Sequence, residues 1–233
     1  MTPTLPPGSL LASRLLGSPV SSHPVGPGRV GYKLGHPGRP SRMPTLLITL
    51  FDNSGSVTSP GGTDPLSNRY AEVTRAFSAV ARKGARHELG AIVHFDTPSS
   101  GEIEPTPITR RGLIQLRAGL RPPQDGAGTS ELGPSLERAY QMAEASPDHE
   151  ISLIVLSDFA LMDPDLAQVM ARLAAFPGTV HAVVLGSRLS ADVFDPRIIS
   201  TPIGRDSAPG AVARALFSSL VTHRPGAHVV EET

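Results

Sequence analysis

The chain of 233 residues contains no cysteine, which excludes disulfides, thiol nucleophiles and cysteine-ligated zinc. Acidic residues are missing from the first 51 positions, and lysine occurs only at Lys33 and Lys83, the other 19 cations being arginine. The ten aromatic residues, three Tyr and seven Phe, are too few to furnish stacking platforms for nucleic acid. No apolar run approaches the roughly 18 residues of a membrane-spanning helix. Residues 9–20 have the length of a signal h-region, but Arg14 interrupts them and no convincing cleavage site follows. The expected location is therefore the cytoplasm, with no membrane contact. Three catalytic signatures are also lacking. There is no G-x-S-x-G elbow and no G-x-x-x-x-G-K phosphate loop, and His87-Glu88 begins an H-E-x-x-H motif that Ala91 breaks.

What is present suits one folded domain, with a hydrophobic fraction of 39%. Residues 1–44 stand apart, holding nine prolines, seven glycines and the five cations Arg14, Arg29, Lys33, Arg39 and Arg42. So few core-forming side chains do not offset the entropy of ordering, and a basic disordered arm is expected, with Met43 a second candidate start beside Met1. Within it Gly26-Pro27-Gly28-Arg29-Val30-Gly31 fits G-x-G-x-x-G but lacks the flanking strand and helix that give the motif meaning. Taking the arm's five cations from the 21 basic residues leaves 16 against 21 acids, a net charge of −5 over the rest. That balance argues against nucleic acid as the partner of the folded part. The domain is expected over 45–223, followed by a flexible tail at 224–233.

Between those bounds, apolar runs alternate with amphipathic stretches. Strands are predicted at 46–51, 89–95, 151–156, 179–185 and 197–203, and Pro105 and Pro107 restrict a weak segment at 102–108 to a sheet edge. Helical spacing appears from Tyr70 to Ala81, at Leu113, Leu116 and Leu120, from Leu132 to Ala143, and at Val212, Leu216 and Leu220. It appears also at Leu166, Val169, Met170 and Leu173, read as a buried stripe behind an Asp163 N-cap and Pro164. The alternation predicts an α/β fold of three layers, doubly wound, with a mostly parallel central sheet and one antiparallel edge strand.

Such sheets hold ligands at the carboxyl ends of their strands. There the first strand delivers Asp52-Asn53-Ser54-Gly55-Ser56, a later Gly-rich loop delivers Thr129 and Ser130, and the 151–156 strand ends in Ser157-Asp158. His94 and His181 lie inside apolar strands and read as packed rather than ligating. Two carboxylates and three hydroxyls, all oxygen donors, suit a hard divalent cation, Mg²⁺ or Mn²⁺ ahead of Ca²⁺.

These residues resemble the metal-ion-dependent adhesion site of the von Willebrand factor A (vWA) domain family, in its stand-alone bacterial form. That pattern is Asp-x-Ser-x-Ser, a Thr in a later loop and an Asp after the fourth strand, and Asp52, Ser54, Ser56, Thr129 and Asp158 match all five positions. The resemblance covers about Leu46 to Val221 and implies direct ligation by the first-loop hydroxyls, with an Asp acting through water. It also implies a non-enzymatic recruiting role beside a protein such as an ATPase, a kinase or a stress or conflict-system component. Two departures stand out: the 58–67 loop is long, and Phe159 occupies a place where many members have Gly.

On physical grounds, two carboxylates just neutralise a divalent ion, and five side chains leave one of about six positions open for a partner's Asp or Glu. An alternative is a phosphoryl hydrolase with Asp52 as nucleophile, but the second Asp it needs two residues on is Ser54. A third alternative is a nucleic-acid-associated vWA protein working through the arm.

Overall fold

The computed structural model describes residues 31–64, 68–186, 193–204 and 206–230. The chain divides into two units, Met1–Tyr32 and Lys33–Thr233. The Gly26-to-Gly31 run, save Gly31, and most of the expected arm lie outside the described residues.

Apolar runs too short for helices, rich in Val, Ile and Leu, become strands, and the amphipathic stretches between them become helices. In chain order these are β1 Gly35–Pro37, β2 Thr45–Phe51, α1 Gly55–Thr58, α2 Asn68–Ala81, β3 Glu88–His94, β4 Ile103–Pro107 and α3 Gly112–Gly119. There follow α4 Gly133–Glu144, β5 Glu150–Ser157, α5 Leu166–Ala174, β6 Thr179–Leu185, β7 Ile198–Ile203, α6 Ala211–Val221 and β8 Ala227–Val229. Six strands form one sheet in the order β4-β3-β2-β5-β6-β7. Only β4 runs antiparallel, against β3, at the edge where Pro105 and Pro107 have no N–H to donate. The expected doubly wound α/β fold is the observed one.

Alternate residues of the strands feed two cores. Leu46, Ile48 and Leu50 of β2 join Leu153, Val155, Ala182 and Val184 beneath Leu136, Ala139 and Met142 of α4 and Leu173 of α5. On the opposite face Phe51 stacks on Tyr70 of α2, centroids 4.8 Å apart. There Gly90 leaves room for Phe77, since a Cβ at that position would stand 2.9 Å from the ring.

The boundaries drawn from sequence at residues 44 and 224 fall inside folded structure. β1 pairs antiparallel with β8, His36 opposite His228. A buried ion pair secures both segments. Arg224 donates from Nη1 to both Glu88 oxygens at 2.6 Å, from Nε to the Pro37 carbonyl at 2.6 Å and from Nη2 to the Lys83 carbonyl at 3.1 Å. Glu88 also accepts the N–H groups of Ser41, at 3.0 Å, and Ala85, at 2.9 Å. The residues after 33 are thus tied to those after 223 through one carboxylate.

Asp163 does not cap α5. That helix begins at Leu166 with Asp165 as its N-cap, accepting the Gln168 N–H at 2.9 Å. Asp163 turns instead to the start of α4. Nor is the α5 stripe wholly buried: Leu173 is, Val169 and Met170 are half-covered, and Leu166 is exposed.

His181, buried between β6 and α6, bonds Ser219 Oγ through Nδ1 at 3.0 Å and Thr201 Oγ1 through Nε2 at 2.8 Å. Burial lowers its pKa from 6.5 to about 4. Below pH 6.5 the unfolded chain therefore takes up this proton before the folded one does, and stability falls with pH down to about 4. In urea unfolding, His181→Gln should reduce the stability lost between pH 7.5 and pH 5 by about 2 kcal/mol. At fixed pH, Arg224→Met should cost about 3–5 kcal/mol by stranding the Glu88 carboxylate, and adding Glu88→Gln should restore part of it.

Candidate metal centre

The register of three adjacent strands sets the site. Asp52 follows β2 and donates its N–H to the Leu156 carbonyl of β5 at 3.0 Å, while the Phe95 N–H beyond β3 reaches the Phe51 carbonyl at 2.9 Å. The loops after β3, β2 and β5 therefore emerge side by side at the carboxyl edge.

The Asp52 carboxylate is buried and fixed from two sides. Oδ1 accepts the Ser54 N–H at 2.8 Å and Oδ2 the Ser157 hydroxyl at 2.5 Å. Ser54 stands at the N-cap of the short helix α1, with its Oγ 3.0 Å from Ser56 Oγ. Asp158, also buried, closes its turn by accepting the Ala160 N–H at 3.1 Å. Thr129 follows Gly128, whose φ of +71° suits glycine. The Thr129 N–H reaches Asp96 Oδ1 at 3.0 Å and its hydroxyl donates to the Phe95 carbonyl at 3.3 Å. All five expected residues thus lie at neighbouring strand ends.

Burial pushes the Asp52 carboxyl above the ordinary carboxylate value, the Ser157 and Ser54 hydrogen bonds oppose that, and the charge of Asp158 adds to it. A cation between the two carboxylates would relieve both the burial and the repulsion. The donors are oxygens only, and two hydroxyl oxygens already stand at contact distance. Among the described residues no group of three or more His, Asp or Glu is gathered for a metal, so a cation here must rely on hydroxyls and water. That donor set fits Mg²⁺ or Mn²⁺.

Beneath the first loop lies a polar network that sequence patterns do not reveal. Arg69, in the first turn of α2, is wholly buried. It pairs with Asp64 at 2.7 Å and donates through Nη2 to the Asp52 carbonyl at 2.9 Å and to Asn53 Oδ1 at 3.0 Å. Tyr70 also donates to Asn53 Oδ1, at 2.5 Å, and burial pushes its hydroxyl up to about 12. Two donors on Oδ1 fix the amide orientation, so Asn53 Nδ2 donates to His94 Nδ1 at 3.0 Å. The His94 Nε2–H then donates to the Gly119 carbonyl at 3.1 Å. The imidazole is neutral, its pKa lowered chiefly by burial. Both His94 and His181 are packed in the interior, as expected.

Two further residues position the Asp158 turn. Asp163 accepts the N–H groups of Leu132, at 3.0 Å, and Gly133, at 2.7 Å. The Met162 N–H reaches the Ser130 carbonyl at 3.0 Å. The loops carrying Thr129 and Asp158 are therefore pinned to one another, and Asp163 supplies the negative charge that the N-terminus of α4 favours. Phe159 has a φ of +56°, a left-handed backbone costing a bulky residue about 1–2 kcal/mol. Its N–H bonds Ser157 Oγ at 2.8 Å and its ring meets Phe194 edge-on at 4.9 Å. This conformation makes physical sense of the Gly that the sequence resemblance led one to expect there. In the long loop, Thr63 and Asp64 bond back to the Ser56 and Val57 carbonyls, and residues 65–67 lie outside the described ones.

No family model matches the chain, and no curated protein matches it. Solved structures do. A von Willebrand factor type A protein from Catenulispora acidiphila aligns with 82% of this chain and 49% of its own at 14% identity, with a TM-score of 0.56. Proximal thread matrix protein 1 from the mussel byssus aligns with 78% of this chain and 48% of its own at 17% identity, with a TM-score of 0.51. The manganese-loaded TRAP protein of Plasmodium vivax aligns with 82% of this chain and 76% of its own at 13% identity, with a TM-score of 0.50.

The fold is that of a von Willebrand factor A domain. This chain spans about half the length of the first two of these structures, and the likeness is one of fold. Within this fold the network under the first loop should be sensitive to truncation. Asn53→Ala leaves Arg69, Tyr70 and His94 each short of a partner, and chemical denaturation should show a loss of about 3 kcal/mol.

Proposed function

We propose that this vWA domain is a cation-dependent protein-interaction module. One Mg²⁺ or Mn²⁺ is held by Asp52, Ser54, Ser56, Thr129 and Asp158, and an Asp or Glu of a protein partner completes its coordination. The observation that carries the reading is the Asp52 loop itself, where Ser54 Oγ and Ser56 Oγ stand 3.0 Å apart on a loop closed by a buried carboxylate. The adjacent strand end brings a second buried carboxylate. Five such side chains neutralise a divalent charge and leave about one of six positions for an outside oxygen, which is the chemistry of docking and not of a closed structural site. A solved structure of the same fold is manganese-loaded.

The residues around the site favour binding over hydrolysis. Ser157 donates its hydroxyl to Asp52 and accepts the Phe159 N–H, and its side chain is fully buried, so it holds the two loops and is not presented to a substrate as a nucleophile. His94 is locked between Asn53 and Gly119 beneath the loop.

Calorimetric titration of the full chain with Mn²⁺ should give about one site per chain. Asp52→Ala should abolish that heat and leave the circular dichroism spectrum unchanged, since the backbone bonds of Asp52 to Leu156 and Arg69 do not use the side chain removed. Equal affinity in the two proteins would contradict the assignment. Asp52-dependent hydrolysis of a phosphoester would replace it with the hydrolase.

A further inference from the structure

Six large apolar side chains stand exposed among the described residues. Three of them gather at the Asp158 turn. Met162, 77% exposed, lies four residues after Asp158 and is tied through its N–H to Ser130, beside Thr129. Leu166, 43% exposed, opens α5 one turn further on. Val193, 57% exposed, adjoins Phe194, whose ring packs on Phe159 immediately after Asp158. Phe159, Ala160, Leu161 and Met162 carry no charge, whereas exposed Glu131 and Asp165 flank the same stretch.

From this arrangement we infer that the shoulder formed by Met162, Leu166 and Val193 selects the partner. The occupant is a protein segment whose cation-binding Asp or Glu has a large apolar side chain within two residues and no second acid beside it. The inference rests on the cation reading above, since it uses the shoulder's continuity with that site. Charge complementarity defines the rest. The cation accepts one carboxylate, the apolar side chains of the shoulder offer nothing to a polar neighbour, Asp163 between them is turned to the start of α4, and Glu131 and Asp165 repel a second acid. Met suits such a surface because its unbranched, polarisable side chain adapts to the shape of the residue it covers. The arrangement also accounts for an amphipathic α5 whose first turn remains uncovered: Val169, Met170 and Leu173 pack toward the core, while Leu166 and Met162 continue the apolar stripe out to the carboxyl edge of the sheet.

The test uses the full chain and three fluorescent nonapeptides in a Gly/Ser background with a central Glu. Two positions away on each side they carry Leu, Ser or Glu, and anisotropy is read in Mn²⁺ and in EDTA. In Mn²⁺ the Leu peptide should bind about fivefold tighter than the Ser peptide, the gain expected from partial burial of one such side chain, and the Glu peptide weakest. The double variant Met162→Ser, Leu166→Ser should bind Leu and Ser peptides alike while keeping its Mn²⁺ dependence. Both substitutions are at exposed positions, and an unchanged melting temperature verifies the fold. Equal binding of the Leu and Ser peptides by the parent chain overturns the inference and leaves the cation reading standing. Binding that survives EDTA, or no binding in Mn²⁺, overturns both. Dimerisation of the parent chain that the double variant loses would assign the shoulder to a second copy and overturn the peptide proposal.

Discussion

A guanidinium sealed beneath the first loop is the constraint on which the candidate site depends. Arg69 reaches the Asp52 carbonyl, the Asn53 amide and the Asp64 carboxylate at once. Burying such a charge is tolerable only when it is paired and hydrogen-bonded, and here Nη1 and Nη2 are met by the backbone and side chains of the loop that carries Asp52, while Nε has no partner among the described residues. Displacing that loop would strand the charge. The loop is therefore held by the cost of every alternative, and the Asp52 carboxylate inherits a fixed position at the end of β2.

The same logic recurs at the other two loops. Asp163 satisfies the N-terminus of α4 from across the site, so the Thr129 and Asp158 loops move together or not at all. Phe159 keeps a left-handed backbone because two aromatic rings and the Ser157 hydroxyl hold it there. Two strand-end loops and the α3–α4 loop are each fixed by groups that are not themselves proposed ligands. That is the preorganisation a weak, hydroxyl-rich cation site requires, since neutral oxygens contribute little to offset the ordering of a mobile loop.

The β2, β3, β5 and β6 strands were legible because both faces of each are covered, and a continuous apolar run is the imprint of that environment. The edge strand β4 was legible from its two prolines. The sequence placed Asp52 and Asp158 directly after strands, and β2 and β5 do end there, whereas Thr129 lies between two helices and is held at the end of β3 by Phe95 and Asp96. The pairing of β1 with β8 was not: Gly-His-Pro and Ala-His-Val carry no strand signal, and their association rests on Arg224 meeting Glu88 across 136 positions of sequence. Arg69 was hidden for a similar reason, because an arginine beginning a helix reads as solvated unless its acceptors are known. Asp163 and Asp165 are both plausible caps in sequence, and only the nearness of α4 separates their roles. The exposed turn of α5 followed the same apolar period as its buried turns, so periodicity alone counted it as core.

These strands, loops and supports converge on one claim, that a divalent cation sits over the Asp52 loop between Asp158 and Thr129. The most direct measurement is the anomalous scattering of Mn²⁺ in crystals of the full chain. The account predicts a single strong peak within ligand distance of Ser54 Oγ and Ser56 Oγ, with the Asp52 and Asp158 carboxylates and Thr129 Oγ1 around it. A peak bound elsewhere on the chain, with none over this loop at saturating Mn²⁺, would contradict it.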